Sequence, residues 1–186
     1  KVAELAAEKD LKSEVGTYYY NLANAMLGQL PDRLMDYYQP FERGLFLPVG
    51  PKSTPFQIAC AGDVWFALGY MPLAERDAML GMLFSPAHTG SRYLRRMTET
   101  NLVTGDYEAA SKWARERKAL IQDESRVAAD PVYSYIRSVR FQDDFVTFYD
   151  GLDLMMAILY NQNKNNFMAA QYYTVWQRLK QTEAGQ

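Results

Sequence analysis

The sequence is short of the residues that most metal and redox chemistry needs, with one cysteine and one histidine in 186 positions. A lone cysteine excludes an internal disulfide and a thiolate-based metal cluster. It leaves the redox compartment open, because secreted proteins can also lack bridges. Cys60 therefore reads as a small buried apolar residue. His88 sits in Ser85-Pro86-Ala87-His88-Thr89-Gly90, whose proline and glycine mark an exposed loop. With no second histidine or nearby cysteine, a zinc site is not expected. An excess of charge of one sign is also missing, since 20 basic residues face 22 acidic ones. Such a balance creates no field to gather phosphates or an anionic membrane surface, which argues against nucleic acid as a partner. Nor does any run approach the ~20 apolar residues of a membrane span. The best stretch, Leu154 to Tyr160, is seven residues long and follows Asp150 and Asp153, so direct membrane insertion by this segment is not expected. No glycine-rich phosphate loop, nucleophile elbow or metal-binding helix motif is found, and no cofactor is implied. The chain opens on Lys1 without an apolar targeting segment, which points to a domain excised from a longer precursor.

What is abundant is apolar and aromatic surface: 48% hydrophobic residues, including 14 Tyr, 9 Phe and 3 Trp. That is ample for one continuous core, and a single domain over residues 1–186 is the expectation. Spacing of three to four dominates. Val2, Leu5, Ala6 and Leu11 define a first helical stretch, and Tyr18, Tyr19, Leu22, Met26 and Leu27 a second. Leu30-Pro31-Asp32 punctuates the chain, and a short helix through Leu34, Met35 and Tyr38 should follow. Residues 40–55 hold Pro40, Gly44, Pro48, Gly50, Pro51 and Pro55 with apolar residues between them, which predicts a long ordered loop that packs its side chains or binds a partner.

Beyond that loop the helix signals are local and frequent. Ser53-Thr54-Pro55 has the hydroxyl and first-turn proline of a helix entry, predicting a helix over about 56–69. A helix from Pro72 to about Phe84 follows, with Leu73, Met79, Leu80 and Leu83 as its apolar positions, then one from about Ser91 to Val103. Gly105-Asp106 forms a turn whose aspartate caps the next helix, expected to run to about Val127, and Asp130-Pro131 opens another. From Phe145 the apolar residues through Leu159 predict a buried helix, and the last helix should span about Asn165 to Lys180. Nothing alternates at period two long enough for a sheet, so the fold class is all-α.

Self-similarity is the strongest organised signal. Ile58-x-x-Ala61-Gly62-x-x-Trp65, a turn near Gly69, then Ala74-x-x-x-Ala78, Gly81 and Pro86 set small residues where two helices can approach closely and a large ring where a gap must be filled. A second match begins 36 residues later and is clearest at Gly105-Asp106-Tyr107-Glu108-Ala109-Ala110, with departures at Thr98 and Asn101. Weaker echoes occur at Tyr19-x-x-Leu22-Ala23-x-x-Met26 and at Asn166-Phe167-Met168-Ala169-Ala170. These segments resemble tetratricopeptide repeats, which implies antiparallel helix-turn-helix units stacked as a right-handed superhelix; an irregular helical bundle is the alternative. As a whole the chain also resembles C-terminal helical portions of large uncharacterised bacterial membrane proteins, which implies an extracytoplasmic location and no known activity.

In the repeat register, Arg92, Arg95, Glu99 and Leu102 fall on the groove-lining face of one helix, as do Phe56, Ala59, Asp63 and Phe66 one unit earlier. Thr17, Tyr20, Asn24 and Leu27 take the corresponding place near the start. An aromatic groove with a paired-arginine corner could hold an extended peptide or its C-terminal carboxylate; a solvated face with ion pairs such as Arg95 to Glu99 is the plainer reading. Asp143, Asp144, Asp150 and Asp153 form an acidic cluster without the spacing of a calcium loop, and helix capping accounts for it more simply than catalysis. Three roles stay open: a protein-interaction or scaffold domain that binds a peptide or protein partner on a concave helical surface, a structural domain of a larger membrane-linked protein, and an α-helical enzyme acting on a glycan or peptide. Binding leads.

Overall fold

A computed structural model describes residues 1–8, 12–86, 90–114, 129–142 and 151–184. Every regular element among them is helical, so the protein is all-α: α1 (Val2–Glu8), α2 (Glu14–Met26), α3 (Leu30–Arg33), α4 (Pro55–Ala67), α5 (Met71–Phe84), α6 (Ser91–Thr104), α7 (Tyr107–Trp113), α8 (Pro131–Val139), α9 (Gly151–Gln162) and α10 (Phe167–Ala184). Two compact units share the chain, one formed by residues 1–48 and 147–186, the other by 49–146.

The helix starts follow from local chemistry. The Thr54 hydroxyl accepts from the Gln57 N–H at 3.2 Å while the Thr54 N–H donates to Gln57 Oε1 at 2.9 Å, a reciprocal cap that satisfies two amides before α4 has its own bonds. Asp106 accepts from the Ala109 N–H at 2.9 Å, and Asp130 from the Val132 N–H at 2.8 Å. All three caps sit where the sequence predicts them. The expected helix through Tyr38 instead starts at Leu30, continues as a 3₁₀ turn over Leu34–Asp36 and ends before Tyr38, because Pro31 suits a first helical turn.

In the second unit α4 and α5 form a hairpin closed by Gly69, whose φ of 80° only glycine adopts without strain. The helices meet at Gly62. A Cβ there would stand 3.3 Å from Asp77 Cβ and 3.4 Å from the Ala74 carbonyl oxygen. Gly81 in turn receives the face of the Tyr93 ring, bringing α6 onto α5. A second hairpin, α6 to α7, turns through Gly105 at φ 91° and buries Ala110 against Leu102. Helix starts Pro55 and Ser91, Met71 and Tyr107, and glycines Gly69 and Gly105 are each separated by 36 positions. α8 then caps α6: Arg137 donates to the Leu102 carbonyl at 2.6 Å and the Val103 carbonyl at 3.3 Å, engaging groups that the helix end leaves without intrahelical partners. The strand-like exit from α8 returns to Gly69, with the Phe141 N–H donating to its carbonyl at 2.9 Å.

In the first unit the loop after α3 packs inward, with Leu45, Phe46 and Leu47 buried and Phe46 against Tyr172 and Trp176 of α10. Periodic spacing does not by itself choose the buried face. Met26 and the following Leu27 at the end of α2, and Met79 and Leu83 on α5, are more than half exposed, while Asn21, Asn24 and Asp77 on the same helices are buried. The face a helix buries is chosen by the neighbours it meets, and polar groups enter where those neighbours supply hydrogen bonds.

Candidate functional site

α6 carries two adjacent stripes. Arg92 and Arg96 face α4; Ser91, Leu94, Arg95, Thr98 and Leu102, with Glu99 beside them, line the side toward α7 and α8, the i, i+3, i+4 and i+7 spacing of one helix side. On the α4 side Asp63 binds two guanidiniums, Arg92 at 2.5 Å and Arg96 at 2.8 Å. Arg96 also lies 3.0 Å from Glu99 and stacks over the Phe66 ring, 4.0 Å from its centre. Glu99 takes Arg95 at 2.6 Å and the Tyr133 hydroxyl at 3.2 Å. Phe66 closes the circuit, edge-on to Tyr133.

The electrostatics follow from burial. Asp63 and Glu99 have most of their side chains buried, and guanidiniums meet both of them there. Burial, then the neighbouring Glu99 charge, pushes the Tyr133 phenol up to about 12, so it stays a proton donor across the physiological range. The hydrogen bond to Glu99 and then its charge raise Arg95 above its ordinary value. Both Arg92 and Arg95 keep much of their side chains in solvent, 45% and 57% exposed.

Beside this network, between α6, α7 and α8, lies a half-open cleft of about 170 Å³. Leu94, Leu102, Trp113, Ala114 and the Tyr133 ring make its walls mainly apolar, and Arg95, Glu99 and Asp130 bring charge to the lining. Thr98, a departure from the repeat pattern, lines this cleft with its hydroxyl turned back onto the Leu94 carbonyl at 2.8 Å. Asn101 likewise donates to the Met97 carbonyl at 2.7 Å, so neither substitution leaves its side chain unsatisfied inside the helix.

Of the residues singled out by sequence, Asp63, Phe66, Arg92, Arg95 and Glu99 come together in this one cluster. Tyr20 and Asn24 belong to the first unit, where Tyr20 stacks on Tyr37 at 4.8 Å and donates to the Arg33 carbonyl, and Asn24 donates to the Tyr20 carbonyl at 3.0 Å. Both are buried, with their polar atoms engaged inside that unit. Arg96, at the centre of the cluster, belongs to the arginine grouping of the sequence but was not placed on the groove-lining face, and Tyr133 was not a candidate. The three-residue step from Arg96 to Glu99 was the available signal for the first; Tyr133 had none, because only the docking of α8 brings it near. His88 and the acidic residues Asp143, Asp144 and Asp150 lie outside the described residues. Asp153 accepts from the Trp176 indole and from Lys180, both at 2.6 Å. Among the described residues no three histidine, cysteine or carboxylate side chains gather as a metal site, and no helix is long and apolar enough to cross a membrane.

Fold and site together define an all-helical protein whose chemistry is concentrated in one ion-paired, ring-backed helix face beside an apolar cleft. Residues 1–181 match the model of a family described as Family of unknown function (DUF6057), and the chain belongs to that family. No curated protein and no solved structure matches it.

Proposed function

We propose that this chain is a protein-interaction domain that binds a peptide or protein partner on the α6 face, and that α4 to α7 stack in the manner of tetratricopeptide units in a right-handed superhelix. The observation that carries the binding reading is the gathering of Arg92, Arg95 and Arg96 on one helix face with Asp63 and Glu99. The side chains of Arg92 and Arg95 are about half in solvent there, where a guanidinium can pair a second carboxylate. Support for the stacking comes from the 36-residue recurrence of helix starts and left-handed glycines, and from the small residues at the closest helix approaches.

A second reading, a structural domain of a larger membrane-linked protein, is favoured by the pairing of every one of these guanidiniums inside the fold. Fluorescence anisotropy with labelled acidic peptides, free or amidated at the C-terminus, separates the two. The binding reading expects saturable binding that Arg92→Ala with Arg95→Ala weakens at least about tenfold, since a hydrogen bond to a charged group contributes about 1.5–3 kcal/mol. An affinity unmoved by the double substitution, or no binding at all, favours the structural role.

A further inference from the structure

Asp77 takes no part in the α6 network, yet it is fully buried where α4 and α5 approach at Gly62. We infer that the seam between α4 and α5 is a proton-sensitive joint: a proton on the Asp77 carboxyl closes the seam, and loss of that proton loosens it. Such a joint does not depend on peptide binding at α6.

Geometry sets the problem for the carboxylate. A Cβ added at Gly62 would stand 3.3 Å from Asp77 Cβ, so α4 lies directly against a side chain that no solvent reaches. Oδ1 accepts from Arg76 twice, from Nε at 2.9 Å and from Nη2 at 2.6 Å. Oδ2 is buried and meets no donor among the described residues. A buried carboxylate oxygen without a donor is costly, and two changes relieve it: a proton from water binds Oδ2 and removes the charge, or the helices part and water reaches the oxygen. The first keeps the seam shut and the second opens it.

The surrounding charges are engaged elsewhere. α4 brings two ionisable groups, the buried Cys60 and Asp63, and Asp63 is bound to Arg92 and Arg96 of α6. α6 brings Tyr93, whose hydroxyl donates to the Pro55 carbonyl at 2.7 Å, and Arg92, Arg95, Arg96 and Glu99, which are tied to Asp63 or to one another. On α5 itself Glu75 accepts from Asn101 of α6 at 3.4 Å, at the other seam. The charge that acts on Asp77 is that of Arg76, and burial outweighs its pull, so the carboxyl takes up its proton near pH 6 instead of near 3.8. Because α4 also carries Asp63 and Phe66, which hold Arg96, the joint governs how firmly the α6 arginines are held.

Native-state hydrogen exchange on the whole chain tests the joint, with amide rates corrected for their intrinsic pH dependence. Opening constants of the α4 and α5 amides should rise about tenfold between pH 5 and pH 7.5, because the opened seam releases the proton that the closed seam holds. Amides of α10, in the other unit, should change less than about twofold. Asp77→Asn should remove the rise, Glu75→Gln should leave it, and Arg76→Ala should move its midpoint to higher pH, with circular dichroism confirming that each variant is folded. The Arg76 variant decides the matter if Asp77→Asn does not fold, since a merely structural loss at Arg76 lowers protection at every pH without moving the midpoint. A rise that survives Asp77→Asn, one that Glu75→Gln removes, one shared equally by α10, an unmoved midpoint in Arg76→Ala, or flat opening constants in the parent would overturn the joint.

Discussion

The two units bury their backbones by different means. Residues 49–146 use hairpins whose amides are satisfied by long helices, and the helices approach through Gly62, Ala74 and Ala110, where a missing side chain lets surfaces touch. In the unit of residues 1–48 and 147–186 the stretch after α2 runs through a four-residue helix and 3₁₀ turns, and side-chain amides meet backbone carbonyls there and at the end of α2. Asn21 donates to the Gly44 carbonyl and to Gln39 Oε1, both at 2.9 Å; Gln39 reaches the Leu34 carbonyl at 2.6 Å; Gln171 reaches the Ala25 carbonyl at 2.9 Å. Aromatic rings such as Phe46, Tyr172 and Trp176 fill the space that regular helix pairing fills elsewhere. Where helix pairing is regular, small side chains matter most; where it is irregular, amides and rings take over, because a buried carbonyl must be hydrogen-bonded by something.

The sharpest break of this contrast is at the two left-handed glycines of the regular unit. A Cβ at Gly69 would lie 3.0 Å from both Arg140 Cα and the Val139 carbonyl oxygen, whereas at Gly105 nothing stands within 4 Å. Gly69→Ala should therefore cost roughly 3 kcal/mol or more and Gly105→Ala only about 1 to 2 kcal/mol, the backbone strain alone. Urea denaturation of the two variants measures the gap; equal losses would mean that the return of the chain after α8 does not press on the turn.

Next is a difference in acid response. Asp77, fully buried beneath Gly62 and bound to Arg76 at 2.6 Å, has its carboxyl pushed up to about 6 by burial, against the pull of Arg76. Its folded pKa lies above the unfolded value near 3.8, so its contribution to stability is whole below that value, falls as pH rises to about 6, and is flat above. Asp153 in the other unit is shifted down, chiefly by its hydrogen bonds to Lys180 and Trp176, so its contribution is present above the unfolded value and lost on acidification. The stability difference between the parent and Asp77→Asn should change by about 2 kcal/mol between pH 4 and pH 7, the parent gaining toward acid. Asp153→Asn should lose its effect toward acid instead. A pH-independent Asp77→Asn difference would show that the carboxyl is solvated in the folded state.

The smallest expected effect tests the amide anchors. Asn21→Ala leaves two buried acceptors without their donor and should cost about 1–3 kcal/mol in thermal or urea unfolding. A neutral result would transfer the anchoring of the loop to the rings.

Much of the architecture could be read from residue order because its signals are short-range. Thr54, Asp106 and Asp130 cap the helices they precede through bonds two or three residues away, and Gly69 and Gly105 end helices through their own φ angles. Asp63, Phe66, Arg92, Arg95 and Glu99, placed on one face by the expected repeat, share one cluster. Tyr133 as a donor and the cleft that its ring helps to wall were out of reach, since they depend on where α8 lands, and no local pattern encodes that; the hub role of Arg96 depends on how α6 meets α4.

By itself the sequence determined the helical class, the caps and turns, and the close pairing at Gly62, because each depends on a few neighbouring residues or on the absence of a side chain. Tertiary structure alone decided that Asp77 and Asn21 go inside while Met79 and Leu83 stay in solvent, and that three arginines converge on two acids. Burial is a property of the surface a helix meets, and an ion pair across helices exists only once their separation is set.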